Sequence, residues 1–217
     1  ALYGVRLSFA LGYWEELGKA YPAAMRALEA VREKKAEALL RGEGGRDIFH
    51  DVVAIDERLG SPASTYRLYV ALAEARPELA RECGTLALPA IVEARDFKLA
   101  RQIAPDAEGE IRRQAKRLNS DVAGIKHKRF TRAPQRWAMI RSFIDSVQQQ
   151  LDITNGGGEQ AEAQRLKKLA LSLIPDPSLR KEVQFEWGRP ARRIARPPYP
   201  RWIRRGPRSN SWKNPDR

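Results

Sequence analysis

Residues 137–151 read WAMIRSFIDSVQQQL, and within them Trp137, Ile140, Ile144, Val147 and Leu151 recur at three-and-four spacing. At 3.6 residues per turn, these five side chains line one face of a helix for four turns. The run stops at Asn155-Gly156-Gly157-Gly158, residue types that end helices through left-handed backbone. Alternating β-branched runs, the mark of strands, appear on neither side of it. The expectation is an all-α protein.

The same spacing recurs outward from this helix. Toward the C-terminus, Glu159 to Ile174 carries Leu166, Leu169 and Leu173 and stops at Pro175-Asp176-Pro177. Toward the N-terminus, Ile111 to Gly124 is basic, with a narrow stripe of Ile111, Ala115, Leu118 and Val122 that suits a peripheral helix. Before it come a short helix from Asp96 to Ile103 and a longer one from Leu79 to Ala94, which Pro89 should kink. Ala63 to Ala75 places Tyr66, Tyr69 and Ala73 on one face with Leu68 and Leu72 beside them. A helix starting near Asp47, whose carboxylate suits a cap, carries Ile48, Val52, Ile55 and Leu59 up to Gly60-Ser61-Pro62. The first two helices run from Leu2 to Ala20 and from Pro22 through Met25, Leu28, Val31 and Leu39 to Gly42-Glu43-Gly44-Gly45. Helices joined by such short breaks pair as antiparallel hairpins, stacked here as a short, irregular α-solenoid.

Composition divides the 217 residues in two. From Gly188 onward ten Lys and Arg residues face one acid, Asp216, so this end carries +9 of the net +13. It also holds six of the fourteen prolines and lacks apolar periodicity. We expect a helical repeat-like domain over 1–187 and a basic, Pro/Arg-rich tail, extended or disordered, over 188–217. Cys83 is the sole cysteine, which rules out an internal disulfide and a thiolate cage for zinc or an iron cluster; it reads as a small buried hydrophobe. Apolar runs such as Leu86–Val92 fall far short of the roughly 18 residues of a membrane span. A reducing, cytoplasmic compartment is expected, although the start at Ala1 also accommodates a removed signal peptide.

Trp14-Glu15-Glu16-Leu17-Gly18-Lys19-Ala20-Tyr21 spells W-x2-L-G-x2-Y, the opening of a tetratricopeptide repeat, and the chain resembles that family in this segment. Arg95-Asp96-Phe97-Lys98-Leu99-Ala100 is similar to the turn and second-helix start of such a repeat, with arginine in the place of the usual glycine. Gly158, Ala163, Ala170 and Pro175 resemble a third fragment, with Lys167 where a large apolar residue is usual. The resemblance covers about half of the body, in fragments. It implies large residues facing the partner helix, a glycine at the helix crossing, and a surface that grips an extended peptide or a partner helix without catalysis.

Four sets of residues carry groups suited to chemistry or binding. Asp47, His50, Asp51 and Asp56 on one helix are the best enzymatic arrangement, because histidine flanked by carboxylates can move protons or hold a metal. Asp47 doubles as a cap and His127 lies in a lysine-rich stretch, so a hydrogen-bonded helix histidine is the simpler account. Gly156-Gly157-Gly158 precedes a helix but lacks a phosphate-reaching lysine, and reads as an interhelical loop. Tyr66 and Tyr69 suit a partner-binding surface or the core. Arg112, Arg113, Lys116, Arg117, Lys126, Lys128 and Arg129, with Arg192, Arg193, Arg204, Arg205 and Trp202 of the tail, could neutralise phosphates and stack on bases. The sequence thus points to a non-enzymatic scaffold for a protein or peptide, with no cofactor, metal or membrane span. Nucleic acid or another polyanion is the second candidate partner, and oligomeric state stays open.

Overall fold

The computed structural model describes residues 11–125 and 132–189. Ten helices fill them: α1 Leu11–Ala20, α2 Pro22–Leu40, α3 Arg46–Leu59, α4 Pro62–Ala75, α5 Pro77–Glu93, α6 Phe97–Ile103, α7 Ala107–Ala123, α8 Arg132–Gly156, α9 Gln160–Ser172 and α10 Pro177–Trp187. Among the described residues there is no strand. Each helix packs mainly on its chain neighbour and on the next but one, as in a stacked helical solenoid. No helix among the described residues is long and apolar enough to cross a membrane.

The hairpins turn by a recurring device. At Gly42, Arg95 and Gly158 the chain enters left-handed backbone, with φ of 98°, 59° and 86°. After α2, Glu43 N–H bonds Ala38 O and Gly42 N–H bonds Leu39 O; after α5, Asp96 bonds Ile91 and Arg95 bonds Val92; after α8, Glu159 bonds Thr154 and Gly158 bonds Asn155. These paired bonds are Schellman turns, which satisfy the last carbonyls of a helix and reverse the chain. Prolines at the first turn of α2, α4, α5 and α10 start helices where a backbone N–H would have no intrahelical partner.

Two main cores result. The first gathers Leu39, Phe49, Val52, Leu72, Cys83, Ala87 and Ile91 from α2 to α5, with Ala100 of α6 and Ile153 of α8. The second joins α7 to α10 through Ile111, Ile144, Val147, Leu166, Ile174 and Val183. A smaller cluster of Leu11, Leu28 and Ile55 seats α1. Helix α8, about 37 Å long at 1.5 Å per residue, contacts α5 and α6 on one side and α7, α9 and α10 on the other.

Several sequence expectations need adjustment. On the stripe of α8, Ile140, Ile144, Val147 and Leu151 are buried and Trp137 is half-buried. On α2 the buried row is Ala24, Leu28, Arg32, Ala36 and Leu39, and Val31 is exposed. Gly45 rather than Asp47 occupies the N-cap of α3, so Asp47 contributes charge near the helix N-terminus instead. The basic helix α7 packs onto α8 along the expected narrow stripe, with Ile111, Ala115 and Leu118 buried and Val122 half-buried. Helix α10 was not anticipated, because Pro175-Asp176-Pro177 looks like a stop. Asp176 is also a cap that accepts from Ser178 N–H, Pro177 opens the next helix, and Leu179 and Val183 bury its inner face.

Candidate functional site

Two of the four members of the acid and histidine set on α3, Asp51 and Asp56, form ion pairs to α2. Arg32 of α2 reaches Asp56 through two bonds, Nε to Oδ1 at 2.9 Å and a terminal nitrogen to Oδ2 at 3.1 Å, and Thr65 of α4 donates to the same Oδ2 at 2.8 Å. Arg32 is 8% and Asp56 1% exposed. Burial opposes the charge of Arg32, but Asp56 and Glu33 outweigh it and raise its pKa. Lys35 of α2 binds Asp51 at 3.0 Å. The two carboxylates therefore tie α2, α3 and α4 together. Cys83 lies fully buried in the first core, where burial pushes its thiol up to about 11 although Arg46 draws it partly back.

The tyrosines separate. Tyr69 is a core residue, 4% exposed, meeting the Phe49 ring edge-on with centroids 6.4 Å apart. Tyr66 is half-buried and donates to Asp96 Oδ2 at 3.1 Å, while Asp96 Oδ1 caps α6 by accepting from Leu99 N–H.

On α7 the basic residues are largely neutralised by their own helix. Arg112 binds Glu108 at 2.7 Å, Arg113 binds Glu110 at 2.9 Å, and Arg117 binds Asp121 at 3.5 Å. Lys116 is exposed on the same helix. Lys126, Lys128 and Arg129, and Arg192, Arg193, Arg204, Arg205 and Trp202, lie outside the described residues.

The feature that sequence reading missed lies at the seam between the two main cores. Helices α6 and α7 both lean on α8 but diverge from each other after Ala104 and Pro105, opening a cleft of about 490 Å³. Thr85 and Leu88 of α5, Ile103 at the end of α6, Glu110 and Gln114 of α7, and Ser146, Gln149 and Gln150 of α8 line it. Gln114 also lines a second depression of about 330 Å³ between α7 and α8, bordered by Arg117, Asp121, Gln135, Met139 and Ser142. The depressions follow one another along the α7/α8 hairpin.

Gln150 is 3% exposed, and its side-chain oxygen finds no donor. Its neighbours are satisfied: Gln148 donates to Asp152 and accepts from Trp187 Nε1, and Gln114 donates to Glu110. An orphan buried acceptor costs roughly 1–3 kcal/mol, a cost the fold bears without an internal return. A signal was available in the sequence, since Gln150 stands three residues after Val147 and seven after Phe143, on the apolar face of α8.

The C-terminal end of α8 packs against α6. Gly156 sits beneath the Phe97 ring and Gly157 beneath the Arg101 guanidinium, with no space for a Cβ at either. Arg101 continues to Glu159 at 2.7 Å. Gly156 and Gly157 thus pack against α6, while Gly158 forms the open left-handed turn that connects α8 to α9. No family model, curated protein or solved structure matches this chain.

Proposed function

We propose that this chain is a non-catalytic, repeat-like helical scaffold that holds a protein or peptide partner. The observation that carries the reading is the cleft of mixed apolar and polar lining at the seam of α5 to α8, which stacked hairpins create where their neighbours diverge. The tetratricopeptide resemblance adds to it. Gly18 is buried under Met25 of α2, and Arg95 and Gly158 stand in left-handed turns between helices. Trp14 faces α2 and donates to Ala24 O at 2.6 Å, but Leu17 and Tyr21 of the same motif are exposed, a departure from the pattern.

The second reading, binding to nucleic acid or another polyanion, rests on the net charge of +13. The ion pairs along α7 argue against that helix as its centre, and leave the charge of 188–217 as its main support. A salt series separates the two. A polyanion binder shifts DNA or RNA at 50 mM salt and loses affinity by orders of magnitude at about 200 mM. The scaffold retains its partner in a pull-down across that range, with or without residues 190–217. A strong, salt-sensitive nucleic-acid shift that disappears with the truncation would replace the first reading by the second.

A further inference from the structure

We infer that the basic segment following α10 docks back on the body, with its first arginines, Arg192 and Arg193, seated in an acidic depression where α5, α6 and α8 meet. This goes beyond the scaffold reading and does not draw on it. The depression, of about 610 Å³, is lined by Val92 and Glu93 of α5, by Arg95, by Phe97 of α6, and by Asp152 and Asn155 near the end of α8. Glu93 is exposed and forms no ion pair among the described residues. Asp152 accepts one bond, from Gln148 to Oδ1 at 2.8 Å, which leaves Oδ2 for another donor. Arg95 offsets one of the two carboxylates, so the lining keeps one net negative charge on a chain of net +13.

The end of α10 chooses the occupant. Glu182 meets Arg136, the Glu186 carbonyl meets Arg141, and Trp187 Nε1 donates to Gln148 Oε1 at 3.0 Å, so α10 advances along α8 in the direction of Asp152. Lys167 of α9, 5.1 Å from the centroid of the Trp187 ring, adds a cation–π contact that fixes the same end. Trp187 and Asp152 are thus two hydrogen bonds apart through a single side chain, Gln148. Gln148, Asp152 and Asn155 follow at four-and-three spacing on one face of α8, and over them the helix rises about 10 Å. An extended chain covers that distance in about three residues. Counted from Arg189, the last described residue, three and four positions lead to Arg192 and Arg193.

Charge and tethering agree. Residues 188–217 carry +9, and the depression is the complementary sign. Exposed ion pairs are individually weak, but a tether of a few residues gives an effective concentration on the order of millimolar, so weak contacts suffice. Pro190, Pro197 and Pro198 each fix one backbone dihedral, which lowers the entropy lost on ordering the segment. Ile194 then has Val92 and Phe97 as apolar neighbours. An unlinked basic peptide offers the same charges without the tether. A polyanion has to displace the segment from its own acids before it meets these two arginines.

Trypsin reads the docking on the full chain, because Arg192 and Arg193 precede cleavable bonds and Arg204 and Arg205 serve as a reference farther along. In wild type, cleavage after Arg192 and Arg193 should be about tenfold slower than after Arg204 and Arg205, the ratio that about 1.4 kcal/mol of docking gives. Glu93→Gln together with Asp152→Asn keeps size and hydrogen bonding, and should bring the two rates together with the melting temperature unchanged. Salt at about 500 mM should do the same by screening. Ala191→Cys paired with Asn155→Cys should close a disulfide within one chain, whereas Ala191→Cys with Lys116→Cys should not. Cys83 is buried and stays out of the exchange. Equal cleavage at both places in wild type overturns the docking. Protection that survives the two acid substitutions puts the segment on another surface and overturns the site, and crosslinked dimers in place of monomers overturn docking within one chain.

Discussion

Arg32 and Asp56 meet with almost no solvent around them, whereas the ion pairs of the second half, such as Arg136 with Glu182 and Arg165 with Glu108, keep one or both partners in water. The first half thus carries charge inside its fold, whereas the buried polar side chains of the second half, Gln150 and Thr154, are neutral. Hydrophobic burial is non-directional and tolerates small shifts, while a two-point guanidinium–carboxylate pair fixes distance and angle. Arg32, Asp56 and Thr65 come from α2, α3 and α4, so a single cluster sets the register of three successive helices. The second half obtains its register from one long spine, α8, onto which α7, α9 and α10 each press an apolar stripe.

The largest break in this comparison is Asp56→Ala. It leaves the Arg32 charge buried and unmatched, and should cost about 3–5 kcal/mol in urea unfolding. The combined replacement Arg32→Met, Asp56→Leu and Thr65→Val should return stability to within about 1 kcal/mol of wild type, or above it, because paired burial of charge contributes register more than energy. If the single variant unfolds no earlier than wild type, water reaches Arg32 and the first half is not organised around its charge.

How much of this was legible in the sequence depended on what periodicity can express. The stripe of α8 predicts its own burial, because each side chain was judged only by its place on one helix. Arg32 sits on the i+4 row of Ala24, Leu28 and Ala36, yet its partner is 24 residues away on another helix, and no local pattern joins them. The three glutamines 148 to 150 are chemically identical, and only their angular positions on α8 send Gln150 inward. Helix α10 was lost for another reason, since Asp-Pro punctuates both ends and beginnings of helices, and two buried residues, Leu179 and Val183, make a faint stripe.

The seam between the halves offers a smaller test. Gly156→Ala forces a methyl group into the Phe97 ring at the α6/α8 contact, and should cost about 1–3 kcal/mol by overpacking. Hydrogen exchange read residue by residue should show faster opening of α6 and of the C-terminal end of α8, with Arg32 and Asp56 still protected. Uniform loss across both halves would mean that the seam couples them as strongly as either core holds itself.

The smallest expected effect concerns the turns that both halves share. Gly42 and Gly158 occupy left-handed backbone without penalty, but Arg95, at φ 59°, carries a Cβ into the same region. Relieving that strain by Arg95→Gly should add about 0.5–1 kcal/mol, because the gain is partly offset by the greater freedom of glycine in the unfolded chain. The reverse exchange at the matching position, Gly158→Arg, should lose a similar amount, and chemical unfolding of the pair checks both signs. The outcome that matters most is a failure of Arg95→Gly to stabilise. Arg95 lines a depression with Glu93, Asp152 and Asn155, and unchanged stability would mean that its side chain contributes there as much as its left-handed backbone costs.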